Sequence, residues 1–356
     1  MKEEGMRKKV LCIQLILLLL LSTFYIASYI HSANAAEVDI YIKADGSIFP
    51  QNTSISSLDN ITYKFTADII NHSIIVERSN VTIDGQKHKL VGIGKYNDTY
   101  PEGFKMSNVS NVIVRRVKIS NCYSAISLIG CSNCTIEENQ ITNNSYGIYP
   151  QWSNNTLIMN NKIMNNQGGG IYVTNSFNFI IKRNLLTVNS FRVIGFEGSA
   201  NSTVTENTIA NNEGPGIFID ISTNIRIYHD DFVNNVYNAK TRNSIAIWDY
   251  GGEGNYWSDY TDKDANHDGI GDTPYIIDSN NTDRHPLMRP LTVILIGDVN
   301  YDGVVNILDI TIIGSAYGSN QTDPNYNTQA DLAPPYDVIN MLDAVTCAAH
   351  YAETFP

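Results

Sequence analysis

Oxygen-bearing side chains near the C-terminus of this 356-residue chain have the order that a hard cation requires. Asp298, Asn300, Asp302, Asn306 and Asp309 fall at positions 1, 3, 5, 9 and 12 of a loop, with Gly303 at 6 and the Val304 carbonyl at 7. That is the spacing of an EF-hand loop with Asp in last place, so it predicts bound Ca2+. Asp264, Asn266, Asp268, Ile270 (through its carbonyl) and Asp272 repeat positions 1, 3, 5, 7 and 9, with Gly269 at 6. No carboxylate stands at position 12 there unless Asp278 folds back. This stretch reads either as a second calcium loop or as a polar glycine turn.

Carboxylates that could cleave a glycosidic bond are scarcer. The candidates are Glu206 near Arg183, and the run His229-Asp230-Asp231. Each carboxylate stands about one repeat from a basic residue, the arrangement of a solvated ion-pair ladder, and basic neighbours hold carboxyls ionised. A glycosidase needs one carboxyl kept protonated near neutral pH. Tyr149, Tyr172 and Phe218 share one register, with Gly195 in the gap between them and Trp152 close to Tyr149. Aromatic faces one repeat apart can stack on sugar rings, and Trp248 is expected to continue the row. The alternative is that an insertion at residues 237–243 covers them.

The elements that must position these residues are read from a repeat of 22 or 23 residues running from Val109 to Asn235. Asn139, Asn161, Asn184 and Asn207 share one register, continued by Asp230. Asn144, Asn166, Asn189, Asn212 and Asn235 share a second. Apolar columns accompany them: Ile119, Ile141, Ile163, Leu186, Ile209 and Phe232, then Ile126, Ile148, Ile171, Ile194 and Ile217. Such a period means units that bury their apolar faces only by stacking on neighbours. Short alternating runs broken by Asn-Asn and Gly are strands and turns, too short to hold a crossover helix. The chain is therefore all-β, a right-handed parallel β-helix with amides stacked at its corners about 4.8 Å apart. Residues 37–94 read as capping strands and first coils, and Asn97 to Phe104 as a projecting loop.

The rest bounds location and class. Residues 1–36 have a charged start, an apolar run from Val10 to Ala27 and an Ala33-Asn34-Ala35 ending, the pattern of a signal peptide and hence of a secreted or cell-surface protein. An uncleaved anchor is the other reading. The leader holds four basic and two acidic residues, so the net charge of −12 becomes −14 without it. A chain so acidic, with no basic cluster, excludes nucleic acid and anionic membrane as partners. Twelve Asn-x-Ser/Thr sequons follow, among them Asn60, Asn80, Asn133, Asn154 and Asn201, and suit a glycosylated exterior. Cys122 stands in the second Asn register. Cys131-x-x-Cys134 lacks a second pair, so it reads as two core positions or a small-loop disulfide.

Two resemblances rest on these motifs. The β-helix with its Gly254-Asn-Tyr256-Trp257-Ser-Asp259-Tyr260 tail and Asp-x-Asn-x-Asp-Gly-x-Gly-Asp loop resembles the NosD-like family, and its repeats look like carbohydrate-binding and sugar-hydrolase repeats. That resemblance implies a domain over 37–290, with the calcium-loop-like tail at 254–290. It would imply copper too, but His72, His88, His229, His267, His285 and His350 are not paired at ligand spacing. Residues 291–356 resemble a type I dockerin. Val338-Ile-Asn340-Met-Leu342-Asp343 repeats Val304-Val-Asn306-Ile-Leu308-Asp309, though the second loop carries Ala333, Pro334 and Pro335 where ligands belong. One calcium, in the first copy, is implied. Ile307-Leu308 and Met341-Leu342 then face either a cohesin-like partner or the chain's own connector. The functional expectation is a secreted β-helix that binds polysaccharide or glycoprotein glycans and docks through this module. A polysaccharide lyase or glycoside hydrolase, and a passive surface-layer or adhesive protein, are the alternatives.

Overall fold

The computed structural model describes residues 39–94, 101–291, 295–300, 304–320, 323–334 and 338–354. The leader, most of the projecting loop and the candidate ligand Asp302 lie outside them. From Asp39 onward the chain forms one compact unit.

Among the described residues, three sheets of ten, nine and ten strands, parallel except where Ile48–Phe49 and Ile55–Ser56 pair antiparallel at the N-terminal end, wind into the expected solenoid, a parallel β-helix of the right-handed type. In one coil the chain passes through Val112–Arg115 in the first sheet, Lys118–Ser120 in the second and Ser124–Ile129 in the third. Through the central coils each strand pairs with its equivalent 22 or 23 residues on, such as Ile141 with Ile163 and then Leu186. Alternate residues of every strand point inward, so both apolar columns are buried.

Both asparagine ladders are internal. Asn161 N–H and Nδ2 donate to Asn184 Oδ1, both at 3.0 Å, while Asn161 Nδ2 also donates to the Ile136 and Met159 carbonyls. Asn166 makes the same bonds to Asn189. The third corner carries a ladder that the repeat did not disclose. Ser153, Ser176, Ser199 and Ser222 each donate a main-chain N–H to the hydroxyl of the next, ending at Ser244. Cys131 heads this column and Cys122 the second Asn column. Cys131 and Cys134 are free and buried, two core positions rather than a disulfide. The turns cost little because the residue before each ladder position is left-handed, most often asparagine, as at Asn143 and Asn165.

Three expectations need correction. Residues 237–243 are no insertion: Tyr237–Arg242 is a strand of the third sheet, parallel to Pro215–Asp220. Phe104 belongs to the strand Phe104–Ser107 and is buried, so the loop closes before it. Trp248 does not continue an outer row but lies in the core.

The tail after residue 254 closes the solenoid. Asn255 Oδ1 accepts Asp230 N–H, and Asp283 Oδ2 accepts Asn255 N–H, so the first ladder runs two coils beyond the repeat. Trp257 stacks on Phe232 at 4.5 Å and Tyr275 stacks on Trp257 at 4.2 Å, which ends the apolar column with a plug. Trp257 Nε1 donates to Asp283. Tyr275–Asp278 and Asn281–Asp283 pair as a hairpin across the end.

Beyond it, helices α1 (Ile307–Ala316) and α2 (Met341–Ala349) pack together around Val305, Ile313, Ile339 and Cys347. Each begins with a capping box: Asn306 with Asp309, and Asn340 with Asp343. The module is seated on the second sheet. Asn211 Nδ2 donates to the Asn300 carbonyl at 3.0 Å, and Gln329 Nε2 to the Tyr256 hydroxyl at 3.0 Å.

Candidate functional site

The third sheet presents its outward residues in columns one coil apart. One column is Tyr149, Tyr172, Gly195, Phe218 and Lys240; the next along the strands is Gln151, Thr174, Glu197, Asp220 and Arg242. Tyr149 and Tyr172 lie face to face, 5.4 Å apart and 5° from parallel, and Tyr146 stacks on both. Their faces are thus spent on one another. What they offer outward is ring edges and hydroxyls, not the flat platforms expected from the sequence.

Gly195 leaves a gap in the column, and Arg192 fills it. Its guanidinium sits 5.0 Å from the Tyr172 ring centre and 4.5 Å from that of Phe218, with Phe191 at 5.1 Å. A side chain at 195 would meet Tyr172 at 2.7 Å, so glycine is required there by close approach rather than by backbone torsion. Arg192 Nη1 donates to Glu197 Oε2 at 2.7 Å and to the Tyr172 hydroxyl, which itself donates to Glu197. One coil on, Arg242 holds both oxygens of the buried Asp220. Lys240 lies 3.2 Å over the Tyr237 ring.

The electrostatics follow. Hydrogen bonds from Tyr172 and Arg192 hold the Glu197 carboxyl below its usual range. Burial, and then the Glu197 carboxylate, push the Tyr172 phenol well above its own. Arg242 keeps Asp220 low by its hydrogen bonds. Each acid on this face is fixed ionised and the phenol is fixed protonated, so the cluster binds polar groups but has no member poised to move a proton near neutral pH.

The residues expected from sequence are placed as follows. Tyr149, Tyr172 and Phe218 meet on this face, whereas Trp152 is a left-handed corner residue, 61% exposed and apart from the stack. Arg192 and Glu197, which complete the cluster, were not foreseen; the glycine in an aromatic column was their only trace. The catalytic candidates do not converge. Glu206 is tied to Arg183 at 2.5 Å and His229 to Glu253 at 2.8 Å. Asp231 is buried on the second sheet, accepting Leu291 N–H at 2.9 Å.

Among the described residues, no group of three or more His, Cys, Asp or Glu is arranged to hold a metal. In the 264–272 loop, Asp264 accepts the N–H groups of Asp268 and Gly269, Asp268 that of Ile270, and Asp272 that of Ala265. These bonds order the loop from within, and Asp278 does not fold back to it. It bonds Thr241 and Asn281 instead. In the 298–309 stretch, Asp309 Oδ1 accepts Asn300 N–H at 3.1 Å and Asp298 is buried. Asn306 spends its side-chain oxygen on Leu308 N–H as a helix cap.

The profile of a family described as periplasmic copper-binding protein (NosD) matches residues 48–262. No curated protein sequence matches the chain. Among solved structures, a periplasmic alginate epimerase, AlgG, is similar at 14% identity and a TM-score of 0.34, over 53% of this chain and 68% of that one. Tailspike protein 2 of Escherichia coli O157:H7 bacteriophage CAB120 is similar at 13% identity and 0.33, over 51% and 30%. The catalytic domain of an α-1,3-glucanase bound to nigerose is similar at 15% and 0.29, over 50% and 45%. This chain thus spans less than half of the latter two, and likeness at this level says nothing of its chemistry. Copper, which the family's description implies, does not fit the residues present. His229 faces Glu253, His88 faces Asp68 and His350 faces Glu353, each on a separate element, and the free cysteines are buried.

Proposed function

The chain belongs to the NosD family, and on that premise we propose that it is an exported β-helix that binds polysaccharide or glycoprotein glycans along its third sheet. The observation that carries this reading is the Tyr149–Tyr172–Arg192–Phe218 row with Glu197 beside it. The Tyr149 and Tyr172 hydroxyls, and the Glu197 and Asp220 carboxylates, stand one coil apart, about 4.8 Å, with the Arg192 guanidinium among them. Such a strip can hydrogen-bond successive sugars of a linear chain lying along the axis, with ring edges for their apolar sides. Retention without turnover is the expected behaviour, since no acid on the strip is held near neutrality. Affinity electrophoresis through a panel of polysaccharides, beside an assay for released reducing or unsaturated ends, tests this. Tyr172→Phe and Arg192→Ala should weaken retention while Glu206→Gln should not. Cleavage abolished by Glu206→Gln or Asp231→Asn would replace the binder by the hydrolase or lyase.

The C-terminal module supports a dockerin-like role. Ile307, Leu308, Met341 and Leu342 are 59, 56, 61 and 51% exposed, an apolar surface that suits a cohesin-like partner. Calcium would be held by Asp298, Asn300, Asp302, the Val304 carbonyl and Asp309, and would supply the charge that lets these oxygens lie together. Binding of a cohesin domain in calcium, lost in Leu308→Ser with Leu342→Ser, tests this. Unchanged binding would refute it.

A further inference from the structure

We infer that Asn80, Asn133 and Asn201 are acceptors for N-linked oligosaccharide, set in one row along the corner that precedes the first sheet. This goes beyond the glycan-binding reading and rests only on export of the chain. The three asparagines occupy equivalent positions before the strands Val81–Asp84, Thr135–Glu137 and within Ala200–Thr205. All three are exposed, at φ 61°, 53° and 54°. The left-handed turn swings each amide away from the barrel. The sequon threonines Thr82, Thr135 and Thr203 follow at outward, half-buried positions of the same strands. Amide and hydroxyl therefore both face solvent.

Hydrogen bonds along the corner engage the oxygens of two of the three acceptors. Asn111 Nδ2 donates to Asn80 Oδ1 at 2.7 Å, and Asn224 Nδ2 to Asn201 Oδ1 at 2.8 Å. Asn80 and Asn201 accept through oxygen and keep the nitrogen that glycosylation modifies. The donors, Asn111, Asn224 and Asn178, have no hydroxyl two residues on. A register shift shows the contrary case. Asn154 heads a sequon as well, but Thr156 is buried and its hydroxyl donates to the Asn154 carbonyl at 3.2 Å. Asn60 stands in the same row, but there Asp59 accepts both the main-chain N–H and the hydroxyl of Thr62, which engages the sequon hydroxyl.

The chemistry is transfer from a lipid-linked oligosaccharide by an oligosaccharyltransferase outside the cytoplasm. Asn Nδ2 bonds to the sugar C1, the C1–O bond to the polyprenyl phosphate or pyrophosphate breaks, the carrier leaves with that electron pair, and Nδ2 loses a proton. Asn80 and Asn133 are two coils apart and Asn133 and Asn201 three, roughly 10 and 14 Å, which leaves room for a glycan at each.

The test is peptide mass spectrometry of the full chain purified from the cells that make it. Glycan on at least two of the three acceptors, with Asn154 bare, is the expected result. Thr82→Ala, Thr135→Ala and Thr203→Ala should each remove one glycan's mass without touching a core position. Bare asparagine at two or more of the three sites, or glycan on Asn154 in their place, would overturn the inference.

Discussion

Asp230 stands in a column of asparagines, and replacing it with Asn should stabilise the protein by an amount that grows with pH. Its Oδ1 accepts the N–H and Nδ2 of Asn207, both at 2.8 Å, as the oxygen of any ladder member does. Its Oδ2 is buried and has no partner. In Asn207 the nitrogen at that place donates to the Thr205 and Ile181 carbonyls, so by register Asp230 Oδ2 faces the Tyr228 and Val204 carbonyls. An ionised Asp230 would set lone pairs against lone pairs; a protonated one donates to a single carbonyl. Burial, with Asp231 and Glu206 adding repulsion, raises this carboxyl well above 3.8. The raised group stays protonated in the folded chain after the unfolded chain has ionised. Its contribution is therefore full below 3.8 and is lost as pH climbs towards the native pKa, about 1.4 kcal/mol per pH unit in that window. Asparagine satisfies both carbonyls, one hydrogen bond more than the acid, or about 0.5–1.5 kcal/mol even at low pH. Thermal midpoints by circular dichroism at about pH 4, 6 and 8 should show a small gain for Asp230→Asn that widens upward. Parallel curves, or a variant less stable at the highest pH, would refute a neutral acid in the ladder.

Other expectations follow from the same geometry. Asn184→Leu leaves the Asn161 main-chain N–H without its acceptor and takes a donor from the Ile158 and Lys182 carbonyls, and should cost roughly 1–3 kcal/mol in denaturant unfolding; a change within a few tenths would sink the ladder argument. Trp257→Ala removes the plug between Phe232 and Tyr275 and should cost about 3–5 kcal/mol, read as a lowered midpoint of the whole solenoid. A midpoint that stays put would mean that the tail is an appendage. Chelation should change the signal of the C-terminal helices while the β signal persists, and Asp298→Ala should abolish calcium uptake measured by calorimetry; uptake that survives Asp298→Ala would refute the ligand set.

Much of the solenoid was legible because one residue type recurs at one spacing. Asn satisfies a corner with both an acceptor and two donors, so selection of the same side chain in coil after coil leaves a visible period. The serine column does the same work with a hydroxyl but is lost among the many serines of the chain. The ladder's extension through Asn255 and Asp283 escaped because its steps are 25 and 28 residues, not 22 or 23. Tyr237–Arg242 reads as an insertion in the sequence because its apolar column holds only Ala239. At the candidate site, aromatic periodicity gave Tyr149, Tyr172 and Phe218. Arg192 and Glu197, five residues apart, meet because the long Arg192 side chain reaches along the outer face of the extended strand Ile194–Glu197, over Gly195. Asn306 and Asp309 coincide with both a calcium loop and a capping box, and spacing does not separate those two uses.

The seating of the helical module determines how the molecule would answer a mechanical pull. Between the solenoid and α1 the chain is held at Leu291 by Asp231, at Asn300 by Asn211, and farther on at Gln329 by Tyr256. Asn211, Asp231 and Tyr256 belong to three successive coils of the second sheet. Tension applied along the solenoid axis loads these links side by side, in shear, and they must yield together. Tension applied across the sheet peels them one at a time. A tether fixed through Ile307, Leu308, Met341 and Leu342 would thus make the protein stiff in one direction and compliant in the other.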